Sequence, residues 1–404
     1  MLLYLQIMKD IRIRAHTLTC AAGVGLAAIR TALWSRVSGL RKNDFPYSGL
    51  DTWIGRVDAV DDFQWTGANR QWESRNNALA AVGIEQDGFM SELNSAALEF
   101  GSDRVGVVIG SSTANIGQTE LAYRELENGT RLPERFRQAK VHNPHSQAAF
   151  VAHYTGLFGP TMTISTACSS SAKVFATAAR WLSMDIVDAV LVGGVDSLCL
   201  SVLHGFHSLE LISPSVCRPF DRRRNGINIG EAAGFALVVR ASAATTDSIR
   251  CSGYGESSDA HHMSHPHPEG LGAEQAMRAA LARAKISPQD IGYINLHGTA
   301  SRVNDAVETK ALARLFTSAT KVSSTKGWTG HALGSAGIVE ATIAMEALRA
   351  NRIPGTLNLD EPDESLSFMV QQDNADIPLQ HVMSNSFGFG GNNCCLIFSE
   401  GQTL

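Results

Sequence analysis

The chain has 404 residues, 44% hydrophobic and 18% charged, an ordinary globular composition with room for two or three domains or two halves sharing one core. A formal net charge of −5 argues against a nucleic-acid surface, and no segment is apolar for long enough to cross a bilayer. Seven cysteines, an odd number without a CxxC pair, read as reduced thiols rather than a disulfide framework, which suits the cytoplasm.

The opening MLLYLQIM is apolar but lacks the basic leader and small-residue cleavage site of a signal peptide. It reads as an extension into the first strand, with Met8 as an alternative start. RVGVVIGSS (104–112) reads as a buried strand leaving through a Gly-Ser turn. Residues 169–183 set Val174, Phe175, Ala178, Trp181 and Leu182 on one helical face. DAVLVGGVDSL (188–198) and AAGFALVVRA (232–241) are further strands. The polar run RASAATTDSIR (240–250) is the best boundary, and no sequence repeat links the parts on either side. AEQAMRAALARAKI (273–286) and VEATIAMEALRAN (339–351) have helical spacing. DIGYINLHGTAS (290–301) and HVMSNSFGFGGNNCCLIFSE (381–400) supply late strands, the last with a glycine loop inside it. Strands alternating with helices predict an α/β architecture with buried, mostly parallel strands.

TISTACSSSAKVF (163–175) sets Cys168 where a strand turns into a helix. Such turns lie at the ligand-binding edge of α/β sheets, and a helix N-terminus favours thiolate. Small neighbours Ala167, Ser169, Ser170 and Ser171 leave room for a substrate. Cys168 is thus either an activated nucleophile or a buried structural thiol. Two histidine motifs favour the first. NLHGTAS (295–301) puts His297 at a strand end, and SSTKGWTGHALGSAG (323–337) puts Lys326 and His331 among glycines and hydroxyls. DAHHMSHPHPEG (259–270) has four histidines, but its prolines and lack of helical spacing read as a substrate-side loop rather than a metal site. No GxGxxG fingerprint for a dinucleotide follows a strand.

TACSSS, HGTAS…ND…E, STKGWTGHALGSAG and SNSFGFGGNN, with CRPFDRRRNGINIGEAAG (217–234) between them, together resemble the β-ketoacyl-acyl-carrier-protein synthases. The resemblance is nearest the elongating Cys-His-His type; the initiating type carries asparagine in place of one histidine. VGGVDSLCLSVLHGFHSLELIS resembles synthases of aryl-polyene pigment clusters within that type.

The resemblance implies a thiolase-like five-layered α-β-α-β-α fold of two similar halves, residues 8–245 with the nucleophile and 246–404 with both histidines, the lysine and the gating loop. It implies decarboxylative condensation of an acyl chain on Cys168 with malonyl-acyl-carrier protein, in fatty-acid, aryl-polyene or polyketide-type synthesis. His297 and His331 would donate to the malonyl thioester oxygen, with His331 kept neutral if it opens the following helix. Backbone N–H groups of Cys168 and Phe389 would form a second oxyanion hole. Lys326 matches the active-site lysine and Glu308 the carboxylate near it, both holding charge and geometry. Thr299 and Ser301 match pantetheine contacts, and Asp305, Phe206 and Ile227 are assigned to substrate binding. Gly388, Phe389 and Gly390 belong to the gate.

Two departures stand out: Asn225-Gly226-Ile227 replaces an Asp-Gly-Phe, and GGNN replaces Gly-Gly-Thr-Asn. No metal or tightly held cofactor is implied, since substrates ride on the carrier protein's phosphopantetheine. Partners are the carrier protein and a second subunit, identical or ketosynthase-like. The basic run Arg218, Arg222, Arg223 and Arg224 is either a solvated face or a landing surface for that acidic carrier. Two other functions stay open. One is a chain-length-setting partner subunit, usually without the nucleophile. The other is a coenzyme-A thiolase, which uses a second late cysteine; Cys394 and Cys395 read instead as packing.

Overall fold

A computed structural model describes residues 11–126, 128–241 and 249–401. The opening extension and the centre of the 240–250 boundary lie outside the described residues. In chain order the main strands are β1 (Ile11–Cys20), β2 (Val105–Gly110), β3 (Thr161–Ile164), β4 (Ala189–Asp196) and β5 (Ala232–Arg240). There follow β6 (Ile249–Ser258), β7 (Tyr293–Asn295), β8 (Lys321–Ser323), β9 (His381–Gly388) and β10 (Asn392–Ser399). They form one sheet in the order β8-β7-β9-β10-β6-β1-β5-β4-β2-β3.

That order is a repeat. Strands β1 to β5 lie as 3-2-4-5-1, and β6 to β10 lie in the equivalent sequence, joined where β1 pairs with β6. In each half three outer strands run parallel and the two inner ones antiparallel. The expectation of mostly parallel strands is therefore corrected to a mixed sheet. The reason is partly connection length: only residues 389–391 join β9 to β10, and a parallel crossover needs a dozen or more.

Two helices fill the space between the halves. Ser170–Ser183 packs on β2 and β4 and reaches β6 and β10; Ala336–Ala350 packs on β9 and reaches β1 and β5. Thirteen of the 15 residues of Ala336–Ala350 are buried, as its place between the two halves of the sheet requires. The two cross closely at Gly337, where a Cβ would stand 2.5 Å from the Ala172 backbone nitrogen. Arg75–Ile84, Phe89–Phe100 and Ser146–Thr155 cover the outer face of the first half. Leu271–Ala284 covers β6 and β10, with Arg302–Leu315 beside it. The result is the five-layered α-β-α-β-α arrangement. Among the described residues no helix is long and apolar enough to cross a membrane.

The repeat places the chemistry. The turn after β3 carries Cys168 into one central helix, and the equivalent turn after β8 carries Lys326 and His331 towards the other.

Candidate active site

β3 ends at Ile164 and the helix starts at Ser170, so Cys168 sits just before the N-cap residue Ser169. Ala167 has φ 50°, a left-handed conformation that is unfavourable by about 1–2 kcal/mol for a residue with a Cβ. Hydroxyls hold the turn. Ser170 Oγ accepts from the Thr166 N–H at 2.9 Å and donates to the Ala167 carbonyl at 2.5 Å. Ser169 Oγ donates to the Thr166 carbonyl, and Ser171 Oγ accepts the Ile338 N–H, both at 2.9 Å. The three serines are wholly buried, so they brace the elbow rather than leave space for substrate. Gly194 of β4 admits them: a Cβ there would stand 2.4 Å from Ser171 Cβ.

Cys168 Sγ lies 3.0 Å from His331 Nε2, and the sulfur and one ring nitrogen of each of His297 and His331 fall within 4.8 Å of one another. Burial pushes the thiol up to about 11, against the opposing pull of the Lys326 charge and the Phe389 N–H. Burial thus opposes the thiolate that the helix end favours. Both imidazoles are held neutral, their pKa values driven well below the usual range by burial first and by Lys326 second. The following helix does not begin at His331. His331 is held by β-bridge pairing, its N–H to Asn228 O at 2.7 Å and its carbonyl to Gly230 N at 3.0 Å, and the helix starts at Ala336.

Lys326 is buried and turns its amine onto three acceptors: Glu340 Oε1, the His297 carbonyl and, at 3.4 Å, His297 Nδ1. A donor at Nδ1 places the ring proton of His297 on Nε2. His331 Nδ1, in contrast, has no hydrogen-bond partner among the described residues, so no neighbour locks its tautomer. The carboxylate paired with Lys326 is Glu340, not Glu308. Glu308 instead accepts the N–H groups of His297 at 2.9 Å and Gly298 at 2.8 Å, shaping the turn that presents His297. Burial pushes both carboxyls up to about 7.

A cavity of about 420 Å³ is lined by Cys168, His297 and His331 together with Phe206, Ile227, Thr299, Ser301, Gly388 and Phe389. Asp305 is not among the lining residues, which corrects its substrate-binding assignment. It is fully buried and accepts from Phe220 N at 2.9 Å and Ala300 N at 3.2 Å, beside Arg224 Nε at 3.5 Å. Asp305→Ala should therefore lower the unfolding free energy by about 3–5 kcal/mol in denaturant titration, the penalty for stranding a buried charge.

The gate is tied on three sides. Gly390 N–H donates to Met263 O at 2.7 Å, and Asp259 N–H donates to Gly391 O at 2.9 Å. Lys173 Nζ donates to Asn392 Oδ1 at 3.1 Å, which gives the GGNN departure a use. Phe389 packs on Phe206 with ring centroids 5.6 Å apart. Gly388 backs onto the nucleophile turn, where a Cβ would lie 2.9 Å from Thr166 O and 3.2 Å from Cys168 N. Gly390 adopts φ 77°, a value glycine accepts freely. In the histidine loop, Ser264, His265 and Pro266 line the cavity, as a substrate-side loop should.

Three arginines of the basic run pair within the chain, while Arg222 and Arg223 keep 67% and 44% of their side chains exposed. Arg222 pairs with Glu361, Arg223 with Asp221, Asp360 and Glu361, and buried Arg224 with Asp363 at 2.6 Å. Cys394 and Cys395 are buried in β10 and line no part of the cavity.

Residues 75–244 match the family description "Beta-ketoacyl synthase, N-terminal domain", and residues 249–360 match "Beta-ketoacyl synthase, C-terminal domain". A 3-oxoacyl-[acyl-carrier-protein] synthase 2 of Coxiella burnetii is 34% identical over 364 residues, 86% of this chain and 83% of its own. The synthase of the same name from Staphylococcus aureus (strain COL) is 32% identical over 314 residues, 74% of this chain and 76% of its own. The structure titled as a ketosynthase (ApeO) in complex with its chain length factor (ApeC), from Xenorhabdus doucetiae, superposes with TM-score 0.84 and 34% identity, covering 97% of this chain and 98% of the other. A β-ketoacyl synthase from Burkholderia phymatum STM815 superposes with TM-score 0.83 and 27% identity over 97% of this chain and 100% of its own. The motif order, the duplicated sheet and these matches lead to one conclusion: the chain belongs to the β-ketoacyl synthase family.

Proposed function

We propose that the chain condenses an acyl group, held on Cys168, with malonyl-acyl-carrier protein to give β-ketoacyl-acyl-carrier protein. The observation that carries this is the convergence of one thiol and two neutral imidazoles on the wall of a single cavity. Sulfur attacks the acyl thioester carbonyl as His331 Nε2 takes the thiol proton and passes it to the departing pantetheine thiolate. The oxyanion of this step falls to the backbone N–H groups of Cys168 and Phe389.

In the second half the malonyl C–CO₂ bond breaks and carbon dioxide leaves. The electron pair forms an enolate whose oxygen takes a hydrogen bond from His297 Nε2–H. His331, with an unlocked tautomer, can present either a lone pair or an N–H at Nε2 and serves both halves. The enolate carbon then attacks the acyl carbonyl and breaks its C–S bond, and the freed Cys168 thiolate takes one proton from solvent to regain the thiol. Lys326, Glu340 and Glu308 are positioning residues.

Substrates arrive on phosphopantetheine, and no other cofactor enters these steps. A second subunit, a copy of this chain or a silent ketosynthase-like partner, fits the free sheet edge at β3, where Met162 is 41% and nearby Phe158 78% exposed. The presence of Cys168 argues that this chain is the active member of such a pair. Residues 8–245 and 246–404 are its two halves, the setting is cytoplasmic, and the product enters fatty-acid, aryl-polyene or polyketide-type synthesis. The test is sequential. Acyl-carrier protein should add one acyl mass to the protein, and malonyl-carrier protein should then remove it as β-ketoacyl product; an acyl adduct that malonyl-carrier protein leaves untouched would refute the condensing role.

A further inference from the structure

Arg302 is a cation that neither the fold nor the proposed chemistry uses. It opens the Arg302–Leu315 helix and lines the same cavity as Cys168. Among the described residues it is the sole lysine or arginine that does so. Its neighbours in space are already neutralised: Arg224, whose carbonyl it touches, is buried against Asp363 and Asp305. Arg302 itself is exposed, and among the described residues its guanidinium meets no carboxylate. Among the described residues the one hydrogen bond its guanidinium makes is Nε to Arg224 O at 3.4 Å, so both terminal nitrogens stay available.

The acids in the same wall do not compete for it. Asp259 is engaged by Asn393 Nδ2 at 2.8 Å and the His267 N–H at 3.0 Å, and exposed Glu210 forms no ion pair among the described residues. Beside Arg302 on the cavity wall, the hydroxyls of Thr299 and Ser301 sit 3.0 Å apart, a neutral polar pair suited to amides rather than to charge. The cavity wall thus brings together uncharged reacting groups, a neutral polar pair and, among the described residues, one guanidinium without a carboxylate partner.

We infer that Arg302 receives the phosphate of the phosphopantetheine arm. The inference rests on the proposed condensing function. The arm has one anionic group, at the end remote from the thioester, and among the described residues the cavity has one free lysine or arginine cation. A guanidinium matches phosphate oxygens with two parallel N–H donors, a geometry that a lysine cannot reproduce. Recognition at the mouth also orients the arm before the thioester reaches Cys168, so it acts on substrate capture rather than on bond making.

The experiment compares two small thioesters, acyl-phosphopantetheine and acyl-pantetheine, which differ in the phosphate alone. Acylation of Cys168 is followed by intact mass, and kcat/KM is read for the native protein, Arg302→Ala and Arg302→Lys. The native protein should prefer the phosphorylated substrate by about 10- to 100-fold, the range for a charge-assisted hydrogen bond. That preference should shrink with added salt. Arg302→Lys should keep part of it, and Arg302→Ala should bring the two substrates to within about twofold. Because Arg302 is exposed, its loss strands no buried group, and unchanged thermal unfolding of both variants confirms the fold. Equal use of the two substrates by the native protein, or an undiminished preference in Arg302→Ala, would overturn the assignment while leaving the condensing function intact. No acylation by either substrate would overturn the condensing function itself, and this inference with it.

Discussion

Cys168→Ala should take up no acyl group from acyl-carrier protein, and β-ketoacyl product should fall by about 10⁶-fold, the scale on which a nucleophile acting within a unit is lost. The acyl adduct has no other home. Of the seven cysteines, Cys168 is the one that lines the cavity, and Cys394 and Cys395 are sealed in β10 with thiols pushed far up by burial. Cys395→Ser should therefore acylate like the native protein. Malonyl-carrier protein should still lose carbon dioxide on Cys168→Ala, because His297, His331 and Lys326 remain where they were. Decarboxylation without condensation is the signature of two separate half-sites sharing one cavity. Intact mass spectrometry and carbon dioxide release measure the two halves independently. An acyl adduct on Cys168→Ala would remove Cys168 from its role.

The elbow was legible because an apolar strand, a thiol among small residues and an amphipathic helix follow one another without a break. The β9–β10 hairpin was legible because its glycine loop is short. Other features needed three dimensions. Glu340 is one of two glutamates buried in a mostly apolar helix, a signal that sequence inspection can flag but cannot connect to Lys326 rather than to another cation. Glu308 and Asp305 lie on one helix, three residues apart, yet one caps the His297 turn and the other clamps Phe220 and Ala300. Spacing cannot separate those duties. Strand direction in the inner pairs escaped for a similar reason, since short β runs look alike whichever way they pair. The thiol's protonation depends on how completely the site is desolvated, and this is a property of the packed core rather than of residues 163–175.

Lys326→Met should slow malonyl decarboxylation by about 10²–10³-fold, the loss typical of one oxyanion donor, while acylation of Cys168 falls far less. The split follows from which atom the lysine governs. Its amine faces His297 Nδ1 and thereby keeps the ring proton on Nε2, where the enolate oxygen forms. Without it the proton can settle on Nδ1, and Nε2 turns a lone pair towards negative charge. His331, which handles the thiol, owes no hydrogen bond to Lys326.

The pH profile separates this account from simple damage to the fold. In the native protein burial and Lys326 hold His297 neutral, so its decarboxylation rate should be flat through the usual imidazole range. Removing the neighbouring positive charge raises the His297 pKa, although burial still holds it below its usual value. As pH falls the ring then gains a second proton and recovers its Nε2–H, so the variant should regain activity towards mild acid. Glu340 should not confound the result, because loss of its cation raises its pKa further and leaves it neutral. Rates measured from pH 5 to 8 on Lys326→Met, and on Lys326→Met with Glu340→Gln as the fold-preserving pair, should both rise as pH falls. Equal losses in the two half-reactions, or profiles parallel to the native one, would reduce Lys326 to a packing role and leave the His297 tautomer without its proposed control.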